Sequence, residues 1–253
     1  MSPSTDYFSE VAARYAAYRP TYPAALVAYL REVAQGETAW DIGCGSGQLT
    51  IALAETFERE IATDPAPAQL AEAPAHPHVE YRVAPAEASG LAAGSIDLAV
   101  AAQAAHWFEW PQFVAEVARV THVGSVIALI GYANPELAGE IGREVTTFIE
   151  DIAGPFWPAG RAHINNRYRD LILPGTPIDP AIEIGRAATI EMAIDWTRDE
   201  FLGYASSWSA TTRLRKATGP AEFDAFCARV ATLWPDDGRR RVRWPLILKL
   251  ARR

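Results

Sequence analysis

Between residues 38 and 132 the sequence alternates short apolar runs with segments of helical periodicity, and this alternation limits the fold more than any other feature. Runs at 38–42, 60–63, 79–83, 95–101 and 125–132 are bounded by glycine, proline or charged residues and read as strands. Helical segments at 48–57, from Pro65 to about 73, and at 110–120 separate them. Strands joined by helices pair in parallel, because a parallel pair needs a crossover too long for a hairpin. The expectation is an α/β, doubly wound sheet with helices on both faces.

The flanking segments are less regular. Phe8, Val11, Ala12, Tyr15, Tyr18 and Tyr22 recur at helical spacing, until Pro20 and Pro23 impose an extended turn before a second helix over 24–33. Residues 136–152 read as helical, and 154–180 as a proline-rich cap or insertion with aromatic residues between the breaks. Strands are expected over 187–196 and 241–250, with helices near 197–208 and 220–233. Pro245 is awkward inside a central strand and implies a bulge or a later start. The chain is expected to be one domain. It divides into an N-terminal helical lid (1–35), a core that binds a cofactor (36–135), the insertion (153–185) and C-terminal strands and helices that complete the sheet (186–253).

Composition removes several function classes. The 253 residues carry a net charge of −8, against the positive field that a nucleic-acid partner requires. Seven Arg and Lys residues after 238 are better read as charged ends of a strand, since Arg241 and Arg243 alternate with apolar residues. No apolar run is long enough to span a bilayer. The first ten residues lack a secretory apolar stretch, and two cysteines make no disulfide framework, so a cytoplasmic protein is expected. His76 and His78 flank Pro77 without acidic or thiol partners at ligand spacing, and no metal is expected.

The chemistry is concentrated in Trp40-Asp41-Ile42-Gly43-Cys44-Gly45-Ser46-Gly47, where the first strand turns into its helix. Glycines let a backbone bend sharply and approach a ligand closely. A dinucleotide fingerprint requires G-x-G-x-x-G, but Gln48 stands at the third place, and the spacing is G-x-G-x-G. Asp41 lies two residues before Gly43, where a carboxylate repels phosphate and attracts an ammonium. S-adenosylmethionine has an amino group, a sulfonium and no phosphate, so charge favours it over NAD. Asp64 closes the second strand, 23 residues after Asp41, where a carboxylate can accept both hydroxyls of an adenosine ribose. That feature alone is shared with NAD sites. Cys44 is read as a small packing residue.

The Asp-Ile-Gly-Cys-Gly-Ser-Gly run, then Asp64, Ala86-Glu87 and Ser95-Ile96-Asp97-Leu98, resembles class I S-adenosylmethionine-dependent methyltransferases in the proper order. Tyr18-Arg19-Pro20-Thr21-Tyr22-Pro23 and Ala105-His106-Trp107-Phe108 resemble the group with the type 11 domain, including relatives of trans-aconitate methyltransferase. The resemblance covers 38–132 well and is weak beyond 135. It implies a Rossmann-like seven-stranded sheet of order 3-2-1-4-5-7-6, with strand 7 antiparallel and formed by 241–250. It implies S-adenosyl-L-methionine as cofactor. Asp41, Gly43, Gly45 and Gly47 would surround its methionine part and Asp64 its ribose. Pro65 would lie near the adenine face, and Ala86 and Glu87 along the adenine edge. Gln103 would line the pocket near the sulfonium. Many relatives place Asp where this chain has Pro85, so a side-chain contact to the adenine amino group is not expected here.

Outside that motif, His106 would lie where the transferred methyl points, as a general base or as a residue that shapes the pocket. Trp107 would pack the acceptor or face the sulfonium. Arg19 would pair with the cofactor carboxylate, and Tyr15 and Tyr22 would close over it. Arg161, His163, Asn165, Asn166, Arg167 and Arg169 form either an acid-binding pocket or a solvated loop. The function expected is methyl transfer to a small-molecule acceptor, with no nucleic-acid or membrane partner and with monomer or homodimer undecided. The alternative is a protein that binds S-adenosylmethionine or S-adenosylhomocysteine without catalysis.

Overall fold

The computed structural model describes residues 20–179, 190–235 and 238–253. The helix expected around Phe8 to Tyr18, and Arg19 with it, lie outside the described residues. Five strands pair in parallel in the spatial order β3-β2-β1-β4-β5: β1 (Thr38–Ile42), β2 (Arg59–Asp64), β3 (Val79–Val83), β4 (Ile96–Ala102) and β5 (Thr121–Tyr132). An antiparallel strand, β9 (Leu246–Arg252), lies against β5 and carries the edge strand β6 (Thr176–Ile178) on its far side. The sheet has seven strands, with the antiparallel member between the fifth and sixth places, as expected.

The sixth strand is not the one expected. Residues 176–178 of the proline-rich stretch supply it, and Pro177 is tolerated because an edge strand has one unpaired side. Of the expected strand at 187–196, residues 187–189 lie outside the described residues, and Met192–Trp196 form β7, which leaves the main sheet and pairs with β8 (Arg240–Trp244) in a separate ribbon. The expected strand at 241–250 is therefore two strands. Pro245 has no N–H to continue the ladder, and the chain passes there from the ribbon to the main sheet. The fifth strand starts earlier than 125, at Thr121. A register shift between its pairings to Ile96 and Leu98 absorbs His122 to Ser125, helped by Gly124 at φ 98°.

Helices cover both faces. On one side α1 (Ala24–Val33) and α2 (Thr50–Ala54) pack Leu26, Leu30 and Leu53 against Leu98, Val100 and Ala128. On the other, α4 (Trp110–Val120) packs Phe113, Val117 and Val120 against Trp40, Ala99 and Ile127. Helix α2 is shorter than the expected 48–57, because the turn before it is spent on glycines with positive φ and Thr56 closes it on Leu53. Helix α3 (Pro67–Leu70) is also shorter than expected, starting after Pro65, because the Asp64 carboxylate accepts the Ala66 N–H and holds that turn extended.

A third core is aromatic. It joins α5 (Gly139–Thr147), its continuation through Ile152, α7 (Arg198–Ser206), α8 (Ser209–Thr218), α9 (Ala221–Leu233) and the β7–β8 ribbon, while the short α6 (Arg161–Asn165) packs Ile164 into the core on the α4 side. Phe148 stacks on Phe226 at 4.1 Å, and Trp196, Tyr204 and Trp244 meet edge to face or tilted within 5.6 Å. Helix α7 begins in a capping box between Thr197 and Glu200, which fixes its direction across the end of the sheet. Tyr132, at the end of β5, belongs to this third core and so joins it to the sheet.

Candidate functional site

Two cavities lie beyond the carboxyl ends of β1, β4 and β5, the end at which sheets of this kind bind ligands. The first is built on the glycine turn. Gly43 and Cys44 donate their N–H groups to the Thr63 carbonyl at 2.8 and 3.0 Å, which ties the turn to the end of β2. Gly43 has φ 67°, and a Cβ there would stand 2.7 Å from the Ala104 methyl, so no other residue fits. Gly45 donates its N–H to Asp64 Oδ2 at 2.9 Å, and Ala66 donates to Asp64 Oδ1 at 2.8 Å. Both Asp64 oxygens are thus fixed by backbone donors, with lone pairs left for a ligand. Burial raises the Asp64 pKa, and the bonds from Ala66 and Gly45 oppose the rise.

Asp41 is 1% exposed and lines this cavity. The Thr50 hydroxyl donates to its Oδ2 at 2.7 Å, while Oδ1 has no hydrogen-bond partner among the described residues. Burial pushes its pKa up to about 7, the Thr50 bond opposes this, and the charge of Asp64 adds to it. A buried carboxylate oxygen without a donor costs about 1–3 kcal/mol, a cost that a ligand with a cationic donor would offset. Glu60, wholly buried behind Asp41, is pushed well above the usual carboxylate range by burial and by Asp41. The Cys44 thiol is pushed up by burial and by the charges of Asp41, Asp64 and Glu60, which makes it a wall and not a nucleophile.

The cavity encloses about 460 Å³, counting its open mouth, and Gly43, Gly45 and Gln103 share its wall with Asp41. Pro20 and Tyr22 close one side, so the segment that follows Arg19 reaches it. Gly47, Asp64, Pro65, Ala86 and Glu87 are not part of that wall. Gly47 turns at φ 84° beneath the Tyr81 hydroxyl, Pro65 is exposed, and Ala86 is buried in the core under α4. Glu87 accepts the Glu109 N–H at 2.8 Å and so fixes the entry to α4. Asp97, from the same set of motifs, accepts the N–H groups of Glu37 and Thr38 and meets His122 at 2.9 Å, tying together the starts of three strands.

The second cavity, about 710 Å³ with its mouth, adjoins the first. Gln103 and Tyr132 line both. Gln103 is held there at φ 53°, its N–H on the Ile130 carbonyl and its side-chain amide donating to the Tyr132 carbonyl at 3.0 Å. Left-handed backbone at a non-glycine residue is strain of the kind that gathers at functional sites. His106 and Trp107 line this cavity from a single turn over Ala105–Trp107. Trp157, Pro158 and Arg161 line it from the proline-rich stretch, and Tyr204, Ser207 and Trp208 from the end of α7. That stretch docks on His106 twice. The Tyr168 hydroxyl, on a fully buried ring, lies 3.3 Å from His106 Nδ1, and a Cβ at Gly160 would stand 2.2 Å from the His106 carbonyl oxygen.

Of the cationic and amide candidates in the stretch, the structure brings Arg161 alone into the cavity. His163 pairs with Asp170, and Asn166 donates to the same carboxylate. Sequence reasoning missed Tyr132, Trp157, Tyr204 and Trp208, which come from segments 25 to 47 residues apart in sequence. Trp157 stood out only as an aromatic residue in the proline-rich stretch, and Tyr132, Tyr204 and Trp208 lay in an expected strand and an expected helix with nothing to mark them.

Comparison with known proteins agrees with this geometry. The family model described as a methyltransferase domain matches residues 40–129. A Dictyostelium discoideum protein named as a methyltransferase is 31% identical over 217 residues, 84% of this chain and 80% of the relative. A solved structure from Anaeromyxobacter dehalogenans, named as a type II methyltransferase, is 38% identical, has a TM-score of 0.83, and is matched over 93% of this chain and 98% of its own. The chain belongs to the class I S-adenosylmethionine-dependent methyltransferases. The Saccharomyces cerevisiae protein CRG1, whose name assigns it S-adenosylmethionine dependence, is 28% identical to this methyltransferase over 146 residues, 53% of this chain and 50% of its own. The cofactor of the family is S-adenosylmethionine, and the described residues of the first cavity suit it: an orphaned buried carboxylate oxygen, a Gly43 backbone without room for a side chain, and, among the described residues of the wall, no Lys or Arg to receive a phosphate. Among the described residues no helix is long and apolar enough to cross a membrane.

Proposed function

We propose that this methyltransferase methylates a small-molecule acceptor seated in the second cavity, while the first holds the methyl donor. The observation that carries the reading is the shared wall: Gln103 and Tyr132 face both cavities, so a donor and an acceptor would meet across them. A recess of this size with aromatic sides suits a metabolite rather than a polymer chain. S-adenosylmethionine, when bound, supplies a methyl group activated by its sulfonium.

The residues of the chain would then act as follows. Asp41 accepts the ammonium of the donor through Oδ1, and Asp64 accepts the ribose hydroxyls while its backbone bonds hold it still. Gln103, with its backbone and side chain both tied to β5, fixes the line between the two cavities. Trp107 closes the acceptor side against water, which together with orientation supplies the main rate advantage for an in-line displacement. His106 takes the proton from a neutral hydroxyl or amine acceptor, and an anionic acceptor needs no base. Tyr168 fixes the imidazole through Nδ1. Arg19 is proposed to meet the donor carboxylate, next to Pro20 and Tyr22 in the cavity wall.

The test is calorimetric titration with S-adenosylhomocysteine, followed by a metabolite panel with labelled methyl donor. The reading expects binding by the native protein, at least tenfold weaker binding by Asp64→Ala and Asp41→Ala, and label in a small acceptor. Native-like affinity in both variants, or binding without transfer to any acceptor, would refute it.

A further inference from the structure

Lys249 stands where the strand pattern calls for an apolar residue. Ile247 and Ala251, two places away on either side of it in β9, are buried in the core on the α4 side. Alternate residues of a strand share a face, so the lysine side chain enters that same face. There its ammonium donates to two main-chain carbonyls, Tyr168 at 2.8 Å and Arg169 at 3.3 Å. Burial lowers its pKa, and the charge of Asp170 opposes the fall. Those carbonyls belong to a strained turn. Arg167 and Tyr168 have φ of 54° and 55°, left-handed backbone at two successive residues that carry side chains. Such a turn persists only where its surroundings hold it. Arg167 Nη2 donates to the Leu246 carbonyl at 3.2 Å, so β9 grips the turn from two positions.

We propose that Lys249 is a positioning residue for methyl transfer: its ammonium holds the Tyr168 turn, and through the Tyr168 hydroxyl it sets the His106 imidazole at the second cavity. The proposal rests on the reading of His106 as part of the acceptor site. The turn sends the Tyr168 ring into a notch at Gly131, where a Cβ would stand 2.9 Å from the ring carbon Cε2. The far end of the ring carries the hydroxyl to 3.3 Å from His106 Nδ1. Burial pushes the pKa of that hydroxyl up, with Arg161 opposing and Tyr132 adding, so it stays protonated. Lys249 lines neither cavity and acts only through this chain of contacts. Without the ammonium, two carbonyls lose their donor, the left-handed pair relaxes, and the imidazole loses its partner. The other titratable or charged groups that line the cavity with His106 are Arg161, Tyr132 and Tyr204, and the test alters none of them.

The experiment follows the His106 ring by NMR in protein saturated with S-adenosylhomocysteine, its signal assigned by its loss in His106→Gln, and reads the titration midpoint of the imidazole. The proposal expects Tyr168→Phe and Lys249→Met to move that midpoint in the same direction by similar amounts, about half a pH unit or more, the size of one hydrogen bond. In the Tyr168→Phe background, Lys249→Met is expected to add nothing, since both changes break one chain. Lys249→Arg keeps a cationic donor and is expected to stay closer to native than Lys249→Met. The pH profile of methyl transfer is expected to move with the midpoint, while affinity for S-adenosylhomocysteine stays native in every variant. A native midpoint or a native pH profile in Lys249→Met would overturn the proposal. So would a further shift in the Tyr168→Phe background, equal shifts in Lys249→Arg and Lys249→Met, or a loss of S-adenosylhomocysteine affinity, which marks a general structural role. Native-like methyl transfer by His106→Gln would instead overturn the reading on which the proposal rests.

Discussion

Replacing Asp41 with Asn keeps the shape of the side chain and an oxygen for the Thr50 hydroxyl, but removes a charge that burial opposes. In the folded chain the carboxyl titrates at about 7. In the unfolded chain it titrates near its ordinary value of about 3.9. Below about pH 4 both states carry the proton, and the group leaves stability unchanged. As pH rises, the unfolded chain releases its proton first, so the native fold loses stability progressively until about pH 7 and then no further. At about 1.4 kcal/mol per pH unit, the loss approaches 4 kcal/mol above neutrality. Asp41→Asn escapes that loss. In urea denaturation without cofactor it is expected to match the native protein near pH 4 and to exceed it by several kcal/mol at pH 8. The same variant is expected to bind S-adenosylhomocysteine at least tenfold more weakly, because an uncharged amide N–H donor then stands where the oxygen would accept the ammonium. A variant no more stable than native at pH 8, or one that keeps its affinity, would refute the reasoning.

Gly160→Ala places a methyl 2.2 Å from the His106 carbonyl oxygen and forces the proline-rich stretch away from the second cavity. It is expected to lower the melting temperature and acceptor methylation together while leaving the affinity for S-adenosylhomocysteine intact, which calorimetry and a labelled-methyl assay would check. Glu116 accepts from Ser89 and Arg119, and these contacts, Arg119 foremost, hold its carboxyl down at about 2. Its stabilisation is complete above the ordinary carboxylate range and is lost as pH falls toward 2. Thermal melts of Glu116→Gln are therefore expected to lie below native at pH 7 and to converge with it near pH 2. Tyr168→Phe removes the hydroxyl from His106 Nδ1 but keeps the buried ring, and is expected to shift the pH profile of methyl transfer more than the melting temperature.

Much of the sheet was legible because its strands carry their own punctuation. β1 runs into glycines, β2 into Asp64-Pro65, and α4 begins with a proline in its first turn, so local chemistry fixes those boundaries. Both aspartates stand at strand ends, where charge alone narrows the ligand. The sixth strand was not legible, because Thr176-Pro177-Ile178 has one buried residue and becomes a strand only beside β9. The second cavity was hidden for a similar reason. Trp157, Tyr204 and Trp208 belong to different elements, and only packing onto Tyr132 and Phe148 brings them to one wall. Arg161 could be named as a candidate from sequence, but its separation from Arg167 and Arg169 needed the tertiary contacts with Trp157 and Asn134.

The direct test of the account is the proton count when cofactor product binds. Titrating S-adenosylhomocysteine into the protein in buffers of different ionisation heat reads the protons released. If Asp41, half protonated at pH 7, must ionise to hold an ammonium, binding releases about half a proton there, more at pH 6 and almost none at pH 8. Asp41→Asn releases none. Binding with no proton release at pH 7, or with a release that Asp41→Asn leaves unchanged, would contradict the assignment of this buried carboxyl to the cationic end of the donor.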